Sequence, residues 1–409
     1  MMRQVKTPAI IESIIREIDE NISIFSDASI EYGKMGAALL YYYGHKNYGK
    51  SEFLEKGELM IEESINLISK ISLDNEYKPK YKGDSVAQTL ASFGRGMLFI
   101  ENNFDHQYDF SEYYLYLDDV LHETVKQELE RKDYDCFSGS LAGGYYFLNQ
   151  YKYNKSSYSK NVLNEIVTSI IDNAVIHNEK EIYWPSPSFD NQIYLGLSHG
   201  SAMIINFLTK IVEYKISEEN EQQVKDTAYK AVSFVMNQKR DQVNGFFSYR
   251  FPAPERATET QFSMCYGDLG ILYALSNAAK VFKFEEFEDT IKQMLDASAQ
   301  RKLKHNHTQD ASILYGCSGL YHMFNDIYDR RLEDLYHVSS QYWYSKITDY
   351  WNSDKESLAG FQFDYEDNQE IHPSAKYSFF WGIAGIGITL MQGQNQKLPA
   401  HNELLLTGI

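Results

Sequence analysis

A glycine-bearing loop that runs straight into an apolar helix start recurs along the whole chain. It reads Gly33-Lys34-Met35-Gly36-Ala37-Ala38-Leu39-Leu40 near the N-terminus and Trp381-Gly382-Ile383-Ala384-Gly385-Ile386-Gly387-Ile388 near the C-terminus. Between them stand Gly139-Ser140-Leu141-Ala142-Gly143-Gly144, Gly196-Leu197-Ser198-His199-Gly200, Cys265-Tyr266-Gly267-Asp268-Leu269-Gly270 and Tyr315-Gly316-Cys317-Ser318-Gly319, with a weaker copy at Ser92-Phe93-Gly94-Arg95-Gly96. Each unit of such a repeat is one supersecondary element that must stack on its neighbours to bury its apolar face. The copies lie roughly 45 to 70 residues apart, room for two ordinary helices per unit.

Apolar runs follow the loops: Ala37 to Tyr43, Tyr145 to Leu148, Ala202 to Leu208, Ile271 to Leu275 and Gly387 to Met391. A helix that is apolar on nearly all sides is buried. The intervening stretches, such as Ile10 to Ile18 and Val224 to Val232, carry apolar residues at helical spacing with charges between them, so one face meets solvent. Seven buried and seven amphipathic helices in alternation predict an all-α chain, an α/α toroid of seven inner and seven outer helices, with the glycine loops gathered at one end of the inner set.

No Pro-, Gly- or Ser-rich linker interrupts the pattern, so residues 1–409 are expected to form a single domain. The longest apolar run, around Phe379 to Met391, is too short for a membrane span, and acids occupy the N-terminal stretch where a signal peptide needs an apolar core. Three cysteines are too few for a disulfide framework. These points predict a cytoplasmic protein without membrane insertion. A net charge of -18 argues against nucleic acid or anionic lipid as partner and for a neutral or basic one.

The loops also hold the residues with chemistry. His199 is flanked by Gly196 and Gly200, which offer little apolar surface to pack a core histidine, so it suits a general acid/base or ligand near neutral pH. Cys265 suits a zinc ligand, a nucleophile or a buried small hydrophobe. Asp135, ahead of the third loop, suits a helix cap or a site acid. Tyr266 suits a hydrogen-bond donor or, in a chain with 33 tyrosines, simple packing. The aromatic stretch from Asn244 to Pro254 reads as extended, either over a cavity mouth or as a surface loop.

Taken in order, Gly196 to Leu208, Cys265 to Gly270, Ile313 to Leu320 and Phe380 to Leu390 resemble the signature segments of the lanthionine synthetase C-like (LanC) family, the cyclases of lantibiotic biosynthesis. The resemblance spans nearly the whole chain. It implies an α-toroid and a zinc ion that activates a peptide cysteine thiol for addition to dehydroalanine or dehydrobutyrine, closing a thioether ring. It implies further that Cys265 is a zinc ligand, His199 the acid/base histidine, Asp135 the third-loop acid and Tyr266 the tyrosine beside the first ligand. A catalytic zinc takes three protein ligands and keeps one position open.

The chain departs from the family pattern in the sixth loop. Leu314 and Tyr315 stand where the family places an adjacent cysteine and histidine, and Gln261 stands where it places an arginine, with Arg256 further upstream. Cys317, with His305, His307 and His322 nearby in sequence, is the candidate substitute. Zinc dependence is therefore in question.

Three functions follow. The first is lanthipeptide thioether formation on a dehydrated precursor peptide, using His199, Asp135 and Tyr266. The second is a pseudo-cyclase that binds peptide or scaffolds a dehydratase or transporter. The third is an α/α-barrel glycosidase using carboxylates among Asp190, Glu259 and Asp268.

Overall fold

The computed structural model describes residues 6–73, 85–240, 245–254, 261–303, 308, 310–354, 357–363 and 372–408. Within them lie the helices α1 (Lys6–Glu20), α2 (Lys34–Tyr48), α3 (Ser51–Leu73), α4 (Val86–Asn103), α5 (Ser111–Glu130), α6 (Ser140–Asn154) and α7 (Ser157–Asp172). There follow α8 (Ser201–Glu213), α9 (Glu221–Met236), α10 (Asp268–Phe282), α11 (Glu285–Ala299), α12 (Cys317–Arg331), α13 (Asp334–Lys346) and α14 (Ile383–Gln394). Short 3-10 turns and two antiparallel pairs of short strands accompany them: β1 (Val175–Asn178) with β2 (Glu181–Tyr183), and β3 (Ile193–Tyr194) with β4 (Arg250–Phe251).

The predicted alternation is present. Helices α2, α6, α8 and α14 are buried over almost their whole length, as from Met35 to Gly44 and from Ile383 to Gln392. In α1 the apolar spacing buries Ile10, Ile11, Ile14, Ile15 and Ile18, and Glu12 faces outward. Each such aliphatic side chain taken from water stabilises by about 1.5 to 3 kcal/mol.

The chain divides into two compact units: residues 1–117, 309–321 and 341–401 form the first, and 118–308, 322–340 and 402–409 the second. In the first, Tyr43 meets Phe104 edge-on with ring centroids 5.1 Å apart, inside a core that includes Tyr41, Tyr42 and Phe99. In the second, the C-terminal residues are fastened to the core. Glu403 is paired with Lys152 and Tyr153, Asn206 donates to the Thr407 carbonyl at 2.9 Å, and Asn402 donates to Asp326 at 2.9 Å.

Two expectations are corrected. The weak copy Ser92–Gly96 is no loop but the interior of α4, which is capped by Ser85, whose hydroxyl accepts from the Gln88 amide. Gly96 is there because a Cβ would stand 2.4 Å from the Met35 side chain. The aromatic stretch 244–254 is not a plain surface loop, since Phe246, Phe247 and Ser248 are buried; Asn244 lies outside the described residues.

Candidate active site

The remaining six loops share one local construction. Counting back from the glycine before each buried helix, the fourth residue is Ser29, Asp135, Gly196, Ser263, Ser312 or Ser378. The serine hydroxyls accept from the amide three residues on: Tyr32 at 3.0 Å, Tyr266 at 3.1 Å, Tyr315 at 3.4 Å and Trp381 at 3.3 Å. This side-chain-to-backbone bond closes the turn. The glycine follows because the turn packs onto it: a Cβ on Gly139 would lie 2.4 Å from the Asp135 nitrogen, and one on Gly316 2.4 Å from the Asp310 carbonyl. Gly267 has φ +95 in addition, a conformation side chains resist. The residue just before the glycine is half-buried in every loop: Tyr32, Ser138, His199, Tyr266, Tyr315 and Trp381. A side chain at that position can meet a ligand.

Asp135 fills the turn-closing position of the third loop and does two jobs at once. Its Oδ1 accepts from the amides of Phe137 at 2.8 Å and Ser138 at 3.0 Å, the work serine does elsewhere. Its Oδ2 lies 2.6 Å from His199 Nδ1. Burial would raise this carboxyl, but the His199 ring, its hydrogen bond and the two amides outweigh that and hold it below the usual carboxylate range. The residue that closes the turn and the partner of His199 are thus one and the same. With Nδ1 engaged by Asp135, the exchangeable position of the imidazole is Nε2.

An aromatic wall surrounds the pair. Ring centroids of Phe189, Phe137, Tyr194 and Tyr266 lie 4.5, 5.6, 6.0 and 6.1 Å from that of His199. Phe189 is placed by a turn whose Ser188 amide and hydroxyl both donate to Asp133, while Ser186 donates to the His199 carbonyl at 2.9 Å. Burial, then the neighbouring Cys265, pushes the Tyr266 hydroxyl far up, so it stays protonated and acts only as a neutral phenol. Cys265 is 2 % exposed, and its carbonyl accepts from Ser198.

Phe189, Tyr194 and Asp133 escaped the sequence reading. Asp133 had a signal, since an aspartate stands six residues before the glycine in three loops, as Asp27, Asp133 and Asp310. The aromatic residues had none in a chain so rich in tyrosine and phenylalanine.

The other carboxylates fare differently. Asp268 is fully buried and ion-paired with Arg301 at 2.8 Å; burial raises its carboxyl, and Arg301 with the Phe247 and Phe246 amides works against that. It is a structural group, not a hydrolytic acid. Asp190 is exposed in a left-handed turn, and Glu259 lies outside the described residues.

In the first unit, the sixth loop carries Leu314, 2 % exposed with its amide donating to the Phe380 carbonyl, and Tyr315, whose ring meets Trp381 at 5.0 Å. Tyr32 stacks on Trp381 at 5.9 Å and on His372 at 5.3 Å. Cys317 is fully buried at the start of α12, where burial, then Asp310 and Asp349, push its thiol well up. His322, in the second unit, is pushed down to about 3 by burial, which describes a packed neutral imidazole. His305, His307 and Arg256 lie outside the described residues. Among the described residues no group of three or more His, Cys, Asp or Glu is arranged to hold a metal. Leucine and tyrosine at 314 and 315 supply neither thiolate nor imidazole, so among the described residues the three-ligand set of a catalytic zinc is incomplete.

No helix among the described residues is long and apolar enough to cross a membrane. A search of curated proteins gave no match. Among solved structures, nisin cyclase superposes with a TM-score of 0.70 at 17% identity, covering 97% of this chain and 96% of that one. A cellobiose 2-epimerase from Bacillus thermoamylovorans matches at TM-score 0.44, with 11% identity over 78% of this chain and 90% of that one. An inactive α-1,6-mannanase variant of a Salegentibacter species matches at 0.43, with 10% identity over 95% and 99%. The likeness to nisin cyclase gives the fold class, an all-α, α/α toroid. The family model described as lanthionine synthetase C-like protein matches residues 24–406, and the chain belongs to that family.

Proposed function

We propose that this protein closes thioether rings in dehydrated, cysteine-containing precursor peptides, with His199 as the proton carrier. The observation that carries the reading is the 2.6 Å contact between His199 Nδ1 and Asp135 Oδ2, in a chain of the lanthionine synthetase C-like family. A precursor peptide as partner, and a dehydratase that supplies it, belong to the same reading.

The chemistry needs little beyond these residues. The peptide thiol adds across the Cα=Cβ bond of a dehydroamino acid: the S–Cβ bond forms, the π pair moves onto the carbonyl as an enolate, and a proton reaches Cα. His199 Nε2 takes the thiol proton and returns one to Cα, a shuttle worth about 10² to 10⁴ in rate. Asp135 fixes the ring tautomer and stabilises the imidazolium between the two transfers. Tyr266, kept as a phenol, donates to the developing enolate oxygen. Both reacting groups already lie in one peptide, so holding them together contributes as well. No step is routed through zinc, because Leu314 and Tyr315 offer it no thiolate or imidazole.

The test is incubation of the purified protein with a dehydrated Cys-containing peptide, counting remaining thiols by alkylation and mass spectrometry, together with metal analysis of wild type and Cys265→Ala. Ring closure faster than the peptide alone, lost in His199→Ala, supports the reading. Closure no faster than the peptide alone, with the peptide still bound, leaves a pseudo-cyclase instead. Stoichiometric zinc that disappears in Cys265→Ala would replace the metal-free shuttle with a metal-assisted one.

A further inference from the structure

The segment Gly245–Phe251 is fastened with more care than a connection needs. Arg240 holds it at one end, donating through Nη2 to the carbonyls of Gly245 and Phe247, both at 3.3 Å, while its amide donates to Phe246 at 2.8 Å. In the middle, the Phe247 amide donates to Asp268 Oδ1 at 2.9 Å. Asp268 is itself locked by Arg301 at 2.8 Å, with the guanidinium 4.0 Å from the centre of the Phe262 ring and side-chain exposures of only 3% and 0%. At the far end β4 pairs with β3, and the Leu195 amide donates to the Tyr249 carbonyl at 3.0 Å. Burying an ion pair to hold a backbone costs desolvation, offset only when the geometry is kept.

What this fastening presents is Tyr249. Its neighbours Phe247 and Ser248 are buried, whereas Tyr249 is 37% exposed. Its ring stands 6.2 Å from Tyr194 and 6.5 Å from Tyr266, and those two rings are themselves members of the wall around His199. An exposed aromatic ring on a rigid support beside a reactive pair is a recognition surface, since it offers large contact area at low entropic cost. The ring already carries a cation: the Arg250 guanidinium lies 5.5 Å from its centre and donates to Gln192 at 2.6 Å. A second cation would be repelled there, so the surface fits an uncharged apolar side chain.

We propose that Tyr249, with Tyr194, is the specificity-determining face of the His199 site, receiving an apolar side chain from the peptide residue next to the dehydroamino acid. The Asp268–Arg301 pair is its positioning device. This rests on the reading of a dehydrated peptide as substrate.

The test is fluorescence anisotropy with labelled dehydrated peptides that differ only in the residue beside dehydroalanine: Leu, Ser or Lys. Wild type should bind the Leu peptide about tenfold more tightly than the Ser or Lys peptides, the scale of one well-buried apolar contact. Tyr249→Ala should bring the three within about twofold, and Tyr249→Phe should retain the preference. Asp268→Asn keeps an acceptor for the Phe247 amide and removes the charge facing Arg301. It should reduce the Leu preference and leave Ser-peptide affinity and far-UV circular dichroism unchanged, and Asp268→Glu should restore part of the preference. His199→Ala should keep the full preference, which separates recognition from chemistry. Binding with no preference in wild type, a preference untouched by Tyr249→Ala, or a preference for Lys overturns this inference alone. Failure of every dehydrated peptide to bind overturns the substrate reading beneath it.

Discussion

Asp135→Ser is the substitution that separates architecture from chemistry. Serine is what the first, fifth, sixth and seventh glycine loops use at the equivalent place, as Ser29, Ser263, Ser312 and Ser378. It should therefore keep the amide bond to Ser138 that closes the turn, now at 3.0 Å. It gives up the second bond, to Phe137, and the contact with His199. One part-buried amide left to water costs about 1 kcal/mol, so Asp135→Ser should unfold about that much more easily than wild type. Asp135→Ala, which strands both amides, should lose about 2 kcal/mol or more. Activity should divide the other way. Both variants lose the group that orients the imidazole, and thioether formation should fall in both by about 10² to 10⁴.

Acidity gives an independent check on the same residue. The folded-state carboxyl of Asp135 is held below its ordinary value. Its stabilising contribution is complete above the unfolded value of about 3.9 and is lost as pH falls through the lower folded value. Urea unfolding curves of wild type and Asp135→Ser should thus stand apart at about pH 5 and converge below about pH 4. Equal destabilisation of the Ser and Ala variants would refute the shared-turn argument. Unchanged ring closure in either variant would refute the assignment of Asp135 to the imidazole.

In the first unit, burial raises the Glu31 carboxyl to about 7, against the hydrogen bond from Ser92. The folded state keeps this proton where the unfolded chain loses it, so stability should fall as pH rises from about 4.5 to 7, by at most about 3 kcal/mol; Glu31→Gln should abolish the loss, and parallel unfolding curves for the two proteins would contradict it. Gly267→Ala should be severely destabilising, because its Cβ would stand 1.5 Å from the Gln261 carbonyl oxygen at a φ of +95; a loss of about 3 kcal/mol or more in urea unfolding is expected, and an unchanged midpoint would disprove the close approach. The ring of His322 should remain neutral in NMR titrations down to about pH 4, since burial holds it near 3; a transition between pH 6 and 7 would place it in water instead.

The repeat was legible because its signal is local: a glycine whose Cβ has nowhere to go, followed by an apolar run. The same signal misled at Gly96, where the obstacle is Met35 on another helix rather than a turn of its own chain. His199 and Asp135 were legible as candidates from their loops and from the family resemblance. Their pairing was not legible, because 64 residues separate them and only the packing of the helix starts brings Nδ1 to Oδ2. The aromatic wall was opaque for a compositional reason. With 33 tyrosines and 23 phenylalanines, sequence gives no way to tell Tyr194 and Tyr249 from residues that merely fill the core.

The loop grammar shows why substitutions at the sixth loop leave the fold standing. Ser312 and Gly316 close that turn whatever residues lie between them, and Cys317 packs as the first residue of α12. The position before the glycine is half-exposed in every loop, so it can change character without disturbing helix packing. In the second unit that position holds Ser138, His199 and Tyr266, the last two in ring contact with each other. In the first unit it holds Tyr32, Tyr315 and Trp381, with both tyrosine rings meeting that of Trp381. Tyrosine at 315 therefore supplies aromatic contact in the first unit. On the proposed function the chemistry in the described residues is the proton chemistry of His199, whose imidazole is held by a turn residue that is a carboxylate.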